Sequence, residues 1–358
     1  MKAAAPSGES DAALKARIRV ELPANAFAPQ PLWALPAVPL VGAIAGTSVL
    51  LATLPLPWYA GLAGGVFLGL LYASLTFLGH EVAHGTTVGP GPLREGIVYL
   101  AFAVYCISPH LWRVWHHRAH HAHTNMAGHD PDNFGTLDEF RRHALWCRIL
   151  YRLAPGMSHG ICLAFIFLCF FFTLQGQGML WSKSKRLPDF APLRRRRAIV
   201  DSAGMALVWI GIAMAAGPAG AVYVVLVPMF VANAVVSSYI ITTHMLCPLV
   251  DRPDTLKTTM SVTTPRIVDL AHFHFSHHVE HHLFPGMCSR FYPLVRRVLV
   301  RDFGGRYLAP PYWRALGRLI VTPRIYDGPE ELVDPFSGKR VDVLRNLARL
   351  RPELPGGT

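Results

Sequence analysis

The stretch WYAGLAGGVFLGLLYASLTFLGHEVAH, residues 58–84, decides how this chain is read. From Trp58 to Leu78 it carries no charge and is long enough to cross a bilayer as a helix. Its end, His80-Glu-Val-Ala-His84, sets two imidazoles at i and i+4, on one helical face at the mouth of that span. Working outward, an apolar run from Leu35 to Leu54 precedes it across only Pro55-Leu56-Pro57, so the two form a hairpin. A second pair, Ile199–Ala216 and Ala221–Ile241, flanks the turn residues Gly217-Pro218-Ala219-Gly220. Ile97–Ile107 is too short to span, and Met157–Leu174 is borderline.

Charge orients these runs. Lys2, Lys15, Arg17 and Arg19 precede the first hairpin, and Lys183, Lys185, Arg186 and Arg194–Arg197 precede the second, whereas neither hairpin tip is charged. The excess of basic residues belongs on the cytosolic side, so both tips face outward and both termini face the cytosol. Keeping that order requires Met157–Leu174 to be re-entrant or interfacial. The expectation is an all-α integral membrane protein with four transmembrane helices in two hairpins and a cytosolic helical cap. Residues 1–30 read as a polar, flexible tail, residues 31–300 as the membrane body with the histidine clusters, and residues 301–358 as the remainder of the cap.

Composition supports this. Of the 358 residues 52% are hydrophobic and 16% charged, which suits one membrane-embedded body. The formal charge of +12 lies between apolar runs, where it orients the chain, so nucleic-acid binding is excluded as the reading. Six cysteines without CxxC spacing point to neither a disulfide framework nor a thiolate zinc site. No leader-like order of basic, apolar and small residues opens the chain.

Beyond His80 and His84, the chain holds His117-Arg-Ala-His120-His121 and His278-Val-Glu-His281-His282, each with imidazoles at i, i+3 and i+4 on one stripe. His244, at the inner end of the last span, makes nine. A structural zinc is closed by four ligands and a catalytic zinc by three, so nine imidazoles exceed one site and imply two ions. Without thiolates, iron–sulfur and blue-copper centres are disfavoured. Neutral imidazole suits zinc, iron, copper and nickel, so ligand type alone does not name the metal; two irons with an open position between them could activate dioxygen and break an unactivated C–H bond. His116, His123, His274 and His277 read as hydrogen-bonding or surface residues, and His110, His129, His143, His159 and His272 carry no assignment. Glu81 and Glu280 could orient imidazoles or ligate, Asp130 and Asp132 could hold histidines or close a turn, and Asn233 would satisfy a neighbouring helix.

The motifs GHEVAHGT (79–86), HRAHH with His123-Thr-Asn125 and Asp130-Pro-Asp132, and HVEHHLFP (278–285) resemble the membrane fatty-acid desaturase family over about residues 60–300. That resemblance implies a four-helix membrane bundle under a cytosolic cap, and a di-iron centre on His80, His84, His117, His120, His121, His244, His278, His281 and His282. It also implies dioxygen as co-substrate, a fatty-acyl lipid substrate, and a separate electron donor, ferredoxin-like or cytochrome b5-like. Ile240 stands where acyl-CoA members have an Asn, and His278 replaces the Gln of front-end members. Hydroxylation, epoxidation or carotenoid oxidation on the same core is the first alternative, and a histidine-rich metal transporter a distant one.

Overall fold

A computed structural model describes residues 10–157 and 161–351. Helix α1 (Asp11–Arg19) opens it, capped by Ser10, whose hydroxyl accepts from the Ala13 amide. The stretch expected as a flexible tail is therefore helical over these residues. Leu14 and Ile18 are buried, and Asp11 accepts from the amide and hydroxyl of Thr255.

Helices α2 (Ala37–Thr53) and α3 (Trp58–Ala83) are the first apolar pair. Helix α3 runs five residues past Leu78 and so carries His80 in its last turn. Gly61, Gly65 and Gly69 recur every fourth residue along it. A Cβ on them would fall 2.4 Å from the Tyr223 ring, 2.9 Å from the Tyr223 carbonyl and 2.5 Å from Val231 Cβ. That stripe lets two backbones approach closely where lipid offers no hydrophobic drive to associate.

Helix α4 (Pro92–Ala103) packs on α3 where Gly79 meets Ala101. Then follow α5 (Pro109–Trp112), a π-helix (Arg113–His120), α6 (His121–His123), α7 (Leu137–Arg142) and α8 (Leu145–Arg152). Helix α7 begins with a capping box in which Thr136 and Glu139 satisfy each other's amides.

Helix α9 (Ile161–Trp181) occupies and outruns the stretch expected over Met157–Leu174, of which residues 158–160 lie outside the described residues. By length and composition, Leu163–Lys185 qualifies as a span, which the interfacial expectation did not anticipate. Its two flanks are nonetheless both tied to the histidine side. Arg324 Nε donates to the Pro155 carbonyl at 3.2 Å before it, and Lys183 donates to the Pro131 carbonyl after it. Its middle packs on the helix Val227–His244, where the Thr173 amide donates to Asn233 Oδ1 at 2.9 Å, the neighbour expected for that asparagine.

Helix α10 (Arg195–Ala221), a π-turn (Val222–Leu226) and α11 (Val227–His244) form one apolar stretch, counted with Pro31–Thr53, Trp58–Ala83 and Leu163–Lys185 among four membrane-span candidates. It breaks at Gly217, whose φ of 70° only glycine adopts freely, followed by Pro218. At one end the Arg194 amide donates to His110 Nε2 (2.8 Å), and at the other His244 enters the histidine cluster. Its turn lies beside the first one: Gly220 faces Ala52, and Tyr223 faces Gly61. Outward residues such as Val38, Phe67, Leu207 and Met214 are exposed apolar side chains, as a lipid-facing belt requires.

The rest is α12 (Thr255–Thr258), α13 (Arg266–Ala271), α14 (His278–Leu283), α15 (Tyr292–Phe303), α16 (Tyr312–Val321) and α17 (Val343–Ala348). Between α16 and α17 an antiparallel sheet of β1 (Ile325–Tyr326), β2 (Glu331–Val333) and β3 (Arg340–Asp342) departs from the purely helical expectation. A second core joins α1 to α15 through Leu14, Ile18, Val295 and Leu299.

Candidate metal centre

The histidine motifs meet at one end of the bundle, from the end of α3, the π-helix and α6, the end of α11, and α14. Two groups form. The donor atoms of His80, His84, His116 and His281 lie within 4.8 Å of one another, as do those of His120, His244 and His282. Nε2 atoms face each other across the cluster: His80 to His116 at 3.0 Å, His116 to His121 at 3.2 Å, His121 to His281 at 3.1 Å, and His278 to His244 at 2.7 Å. The His117 ring lies 4.0 Å from that of His84, and its Nε2 has no partner. All nine sequence-predicted imidazoles are thus brought together, with His117 at the edge.

His116 is the imidazole that spacing missed. In an α-helix, His117, His120 and His121 share the stripe. The backbone here is a π-helix, whose i→i+5 bonds widen the turn, and His116 joins His120 and His121 at i+4 and i+5. Two adjacent histidines before the HH pair were the only sign of it.

Opposite ring atoms are held from outside. His120 Nδ1 meets Asp130 Oδ1 at 2.9 Å, His281 Nδ1 meets the Tyr292 hydroxyl at 3.0 Å, His282 Nδ1 meets Thr124 at 3.3 Å and His244 Nδ1 meets Thr259 at 3.4 Å. Such contacts fix ring orientation and leave Nε2 free to ligate. Asp130 also accepts from the Asn125 amide (2.7 Å), while the Asn125 side chain donates to the His244 carbonyl (2.9 Å). Asn125 stands at φ 54°, and so one strained residue ties the second motif to α11.

Glu81 and Glu280 neither ligate nor orient these imidazoles. Glu81 accepts from Thr86 and the Ser289 amide, tying the first motif to the segment after the third. Glu280 accepts from Arg296, Tyr307 and Ser261 and lies near His277. Burial opposes its charge, but Arg296 and His277 hold it ionised well below the usual carboxylate range. Asp269 contacts His274 and His277 and accepts from Ser276, bracing the approach to α14. His123 faces Asp189, His129 lies tilted by His123, His143 stacks by Tyr151 and His272 meets Tyr239 edge-on; His159 lies outside the described residues.

Burial, followed by the neighbouring imidazoles, holds His84, His116, His121, His278, His281 and His282 well below the ordinary imidazole pKa. Burial, then Arg113 and Arg94, lowers His117 to about 3. These rings are neutral at pH 7, the form that binds metal. For His120 burial is outweighed by Asp130 and Asp132, which raise it to about 9. The donor set fits metal: buried Nε2 atoms of His84, His117 and His282 meet no protein partner, and the donors that lie together are imidazole nitrogens with the Asp132 carboxylate beside His116 and His120. On the bundle side an apolar cavity of about 30 Å³ abuts them, walled by Phe77, Phe102, Trp115, Phe172, Ile240 and Phe275.

The profile of the family described as "Fatty acid desaturase" matches residues 56–315. A Synechocystis protein named sn-1 linoleoyl-lipid 6-desaturase is 23% identical over 289 residues, covering 71% of this chain and 77% of its own. A Dimorphotheca sinuata protein named Delta(9) fatty acid conjugase-like enzyme is 26% identical over 282 residues, 74% of this chain and 73% of its own. A second Synechocystis protein, named sn-1 acyl-lipid omega-3 desaturase (ferredoxin), is 29% identical over 136 residues, 38% of this chain and 37% of its own.

Proposed function

The chain belongs to the fatty acid desaturase family and is an oxidoreductase that desaturates fatty-acyl chains, and from that premise we propose that its imidazoles hold two iron ions that work with dioxygen. The observation that carries this is the convergence of two groups of buried or half-buried imidazoles from four separate segments. In this reading His80, His84, His116 and His281 hold one ion, with His117 and His121 beside it, and His120, His244, His278 and His282 hold the other. Bound iron supplies reductive activation of dioxygen and the power to break an unactivated C–H bond.

The chain's own residues do the rest. Asp130, Tyr292, Thr124 and Thr259 hold Nδ1 atoms so that each ring presents Nε2 inward. The aromatic wall of the apolar cavity keeps water from the reacting methylenes and accepts the acyl chain. At about 30 Å³ that cavity holds little more than a water, so the chain enters by displacing side chains such as Ile240 and Phe172.

Two apolar hairpins with uncharged tips and basic stems support four membrane crossings with the histidines and both termini cytosolic, α9 returning to the face it left. Electrons come from a separate carrier. A relative's name includes ferredoxin, and a basic cytosolic face suits an acidic donor of that kind or of the cytochrome b5 kind.

The test measures iron content and lipid products in a host expressing the native chain and His281→Ala. The native chain should yield lipids lighter by two hydrogens, and the variant should lose iron and product together. A product heavier by one oxygen, or a variant that keeps its iron, would overturn the reading.

A further inference from the structure

A second cavity, of about 360 Å³, opens on the far side of the segment 130–133 whose aspartates hold His120. Arg142, Lys183 and Arg186 line it, and none forms an ion pair among the described residues. Its two carboxylates are already engaged. Asp130 accepts from His120, Asn125 and the Asp132 amide, and Glu139 closes the capping box of α7. Arg142 and Arg186 are exposed and solvated, and Asp130, Asp132 and Glu139 act on Lys183, but three cations against two lining carboxylates leave the wall net positive, which draws an anion.

Asn133 points to the same ligand. It is 8% exposed, and its Oδ1 accepts from the Gly135 amide at 3.0 Å, which assigns the other arm as the amide donor. That Nδ2 is buried, has no partner, and belongs to a residue lining the cavity. A buried donor without an acceptor costs free energy unless a ligand oxygen meets it. Three cations and a neutral amide suit a group with several charged oxygens, and the volume lies within the range of small-molecule sites.

The cavity's position narrows the source. Tyr151 lines it from α8, whose Leu145 and Ile149 are exposed one turn apart beside Arg148 and Arg152. Exposed apolar residues beside arginines suit a membrane surface at the depth of lipid headgroups.

We propose that this cavity is a phosphate-ester site that holds the anionic head of the acyl carrier, with Asn133, Arg142, Lys183 and Arg186 as its donors. The assignment rests on the desaturase reading above for the ligand's role, but not for its binding. It names the carrier by class, a phosphate ester, in place of a galactolipid or a free acid.

The test uses the full-length chain in nanodiscs of digalactosyl diacylglycerol, with equilibrium binding of added phosphatidylglycerol and, separately, of coenzyme A. Arg142→Ala/Arg186→Ala is compared with Arg141→Ala/Arg152→Ala, which removes equal charge outside the cavity. The cavity pair should weaken one phosphate probe by about tenfold or more, as loss of charged hydrogen bonds does, while unfolding temperature and iron content hold. A loss on phosphatidylglycerol assigns a lipid head, and a loss on coenzyme A a soluble thioester. Unchanged binding of both probes overturns the site, as does an equal loss in the control pair, which would leave diffuse surface charge only. Binding is read without turnover and repeated on His281→Ala, so a failed desaturase assignment leaves this measurement standing.

Discussion

The second and third histidine motifs have the same HxxHH spacing, yet they use it differently. In α14, an α-helix, His278, His281 and His282 all enter the centre. In the π-helix the widened turn brings His116 into a donor group and leaves His117 at the rim, stacked on His84. Spacing selects a helical face only once the period of the helix is known. The supports differ too: α14 leans on Tyr292 and a buried Glu280–Arg296 pair, whereas the second motif leans on two aspartates and an asparagine.

That contrast can be broken by substitution. The largest effect is expected from His116→Ala against His117→Ala: the first should lose the ion of its group and nearly all product, the second should keep more iron. Metal analysis of both purified chains decides it, and equal losses would return the second motif to the α-helical stripe. Asp130→Asn should follow, because it removes charge from His120 Nδ1 and weakens an anchor shared with Asn125. A fall in iron affinity of about 10–100-fold is expected, read by competition with a chelator. Tyr292→Phe, which removes a neutral partner of His281, should sit near the lower end of that range, and a drop as large as that of Asp130→Asn would erase the difference between the motifs. The smallest effect on iron is expected from Gly69→Val. Crowding Val231 should cost about 1–3 kcal/mol of stability while iron per folded chain stays level, as thermal unfolding and metal analysis would show.

Much of the architecture was legible because its causes are local. The two apolar pairs, Pro55 to Pro57 and Gly217-Pro218 were readable from hydropathy and turn chemistry, and long apolar helices stand on those runs. Other features were hidden because they depend on what lies opposite. Nothing in Leu14 or Ile18 announces that they bury against α15, and the small sheet after Val321 has strands too short to carry a pattern. Asp130 serves both as turn and as support, closing on the Asp132 amide at 2.9 Å and meeting His120 at 2.9 Å, and only the second of these depends on packing.

By itself the sequence determined the solvent and the chemistry: long uncharged runs must satisfy their backbones as helices in lipid, and clustered imidazoles without thiolates suit metals that take nitrogen donors. Tertiary structure alone decided which imidazoles lie together, which helix became a π-helix, and where Arg142 and Arg186 line a cavity beside the unpartnered Nδ2 of Asn133. The reason is one of range. Backbone satisfaction and ligand type are properties of single segments, while convergence within a few ångströms is a property of how distant segments pack.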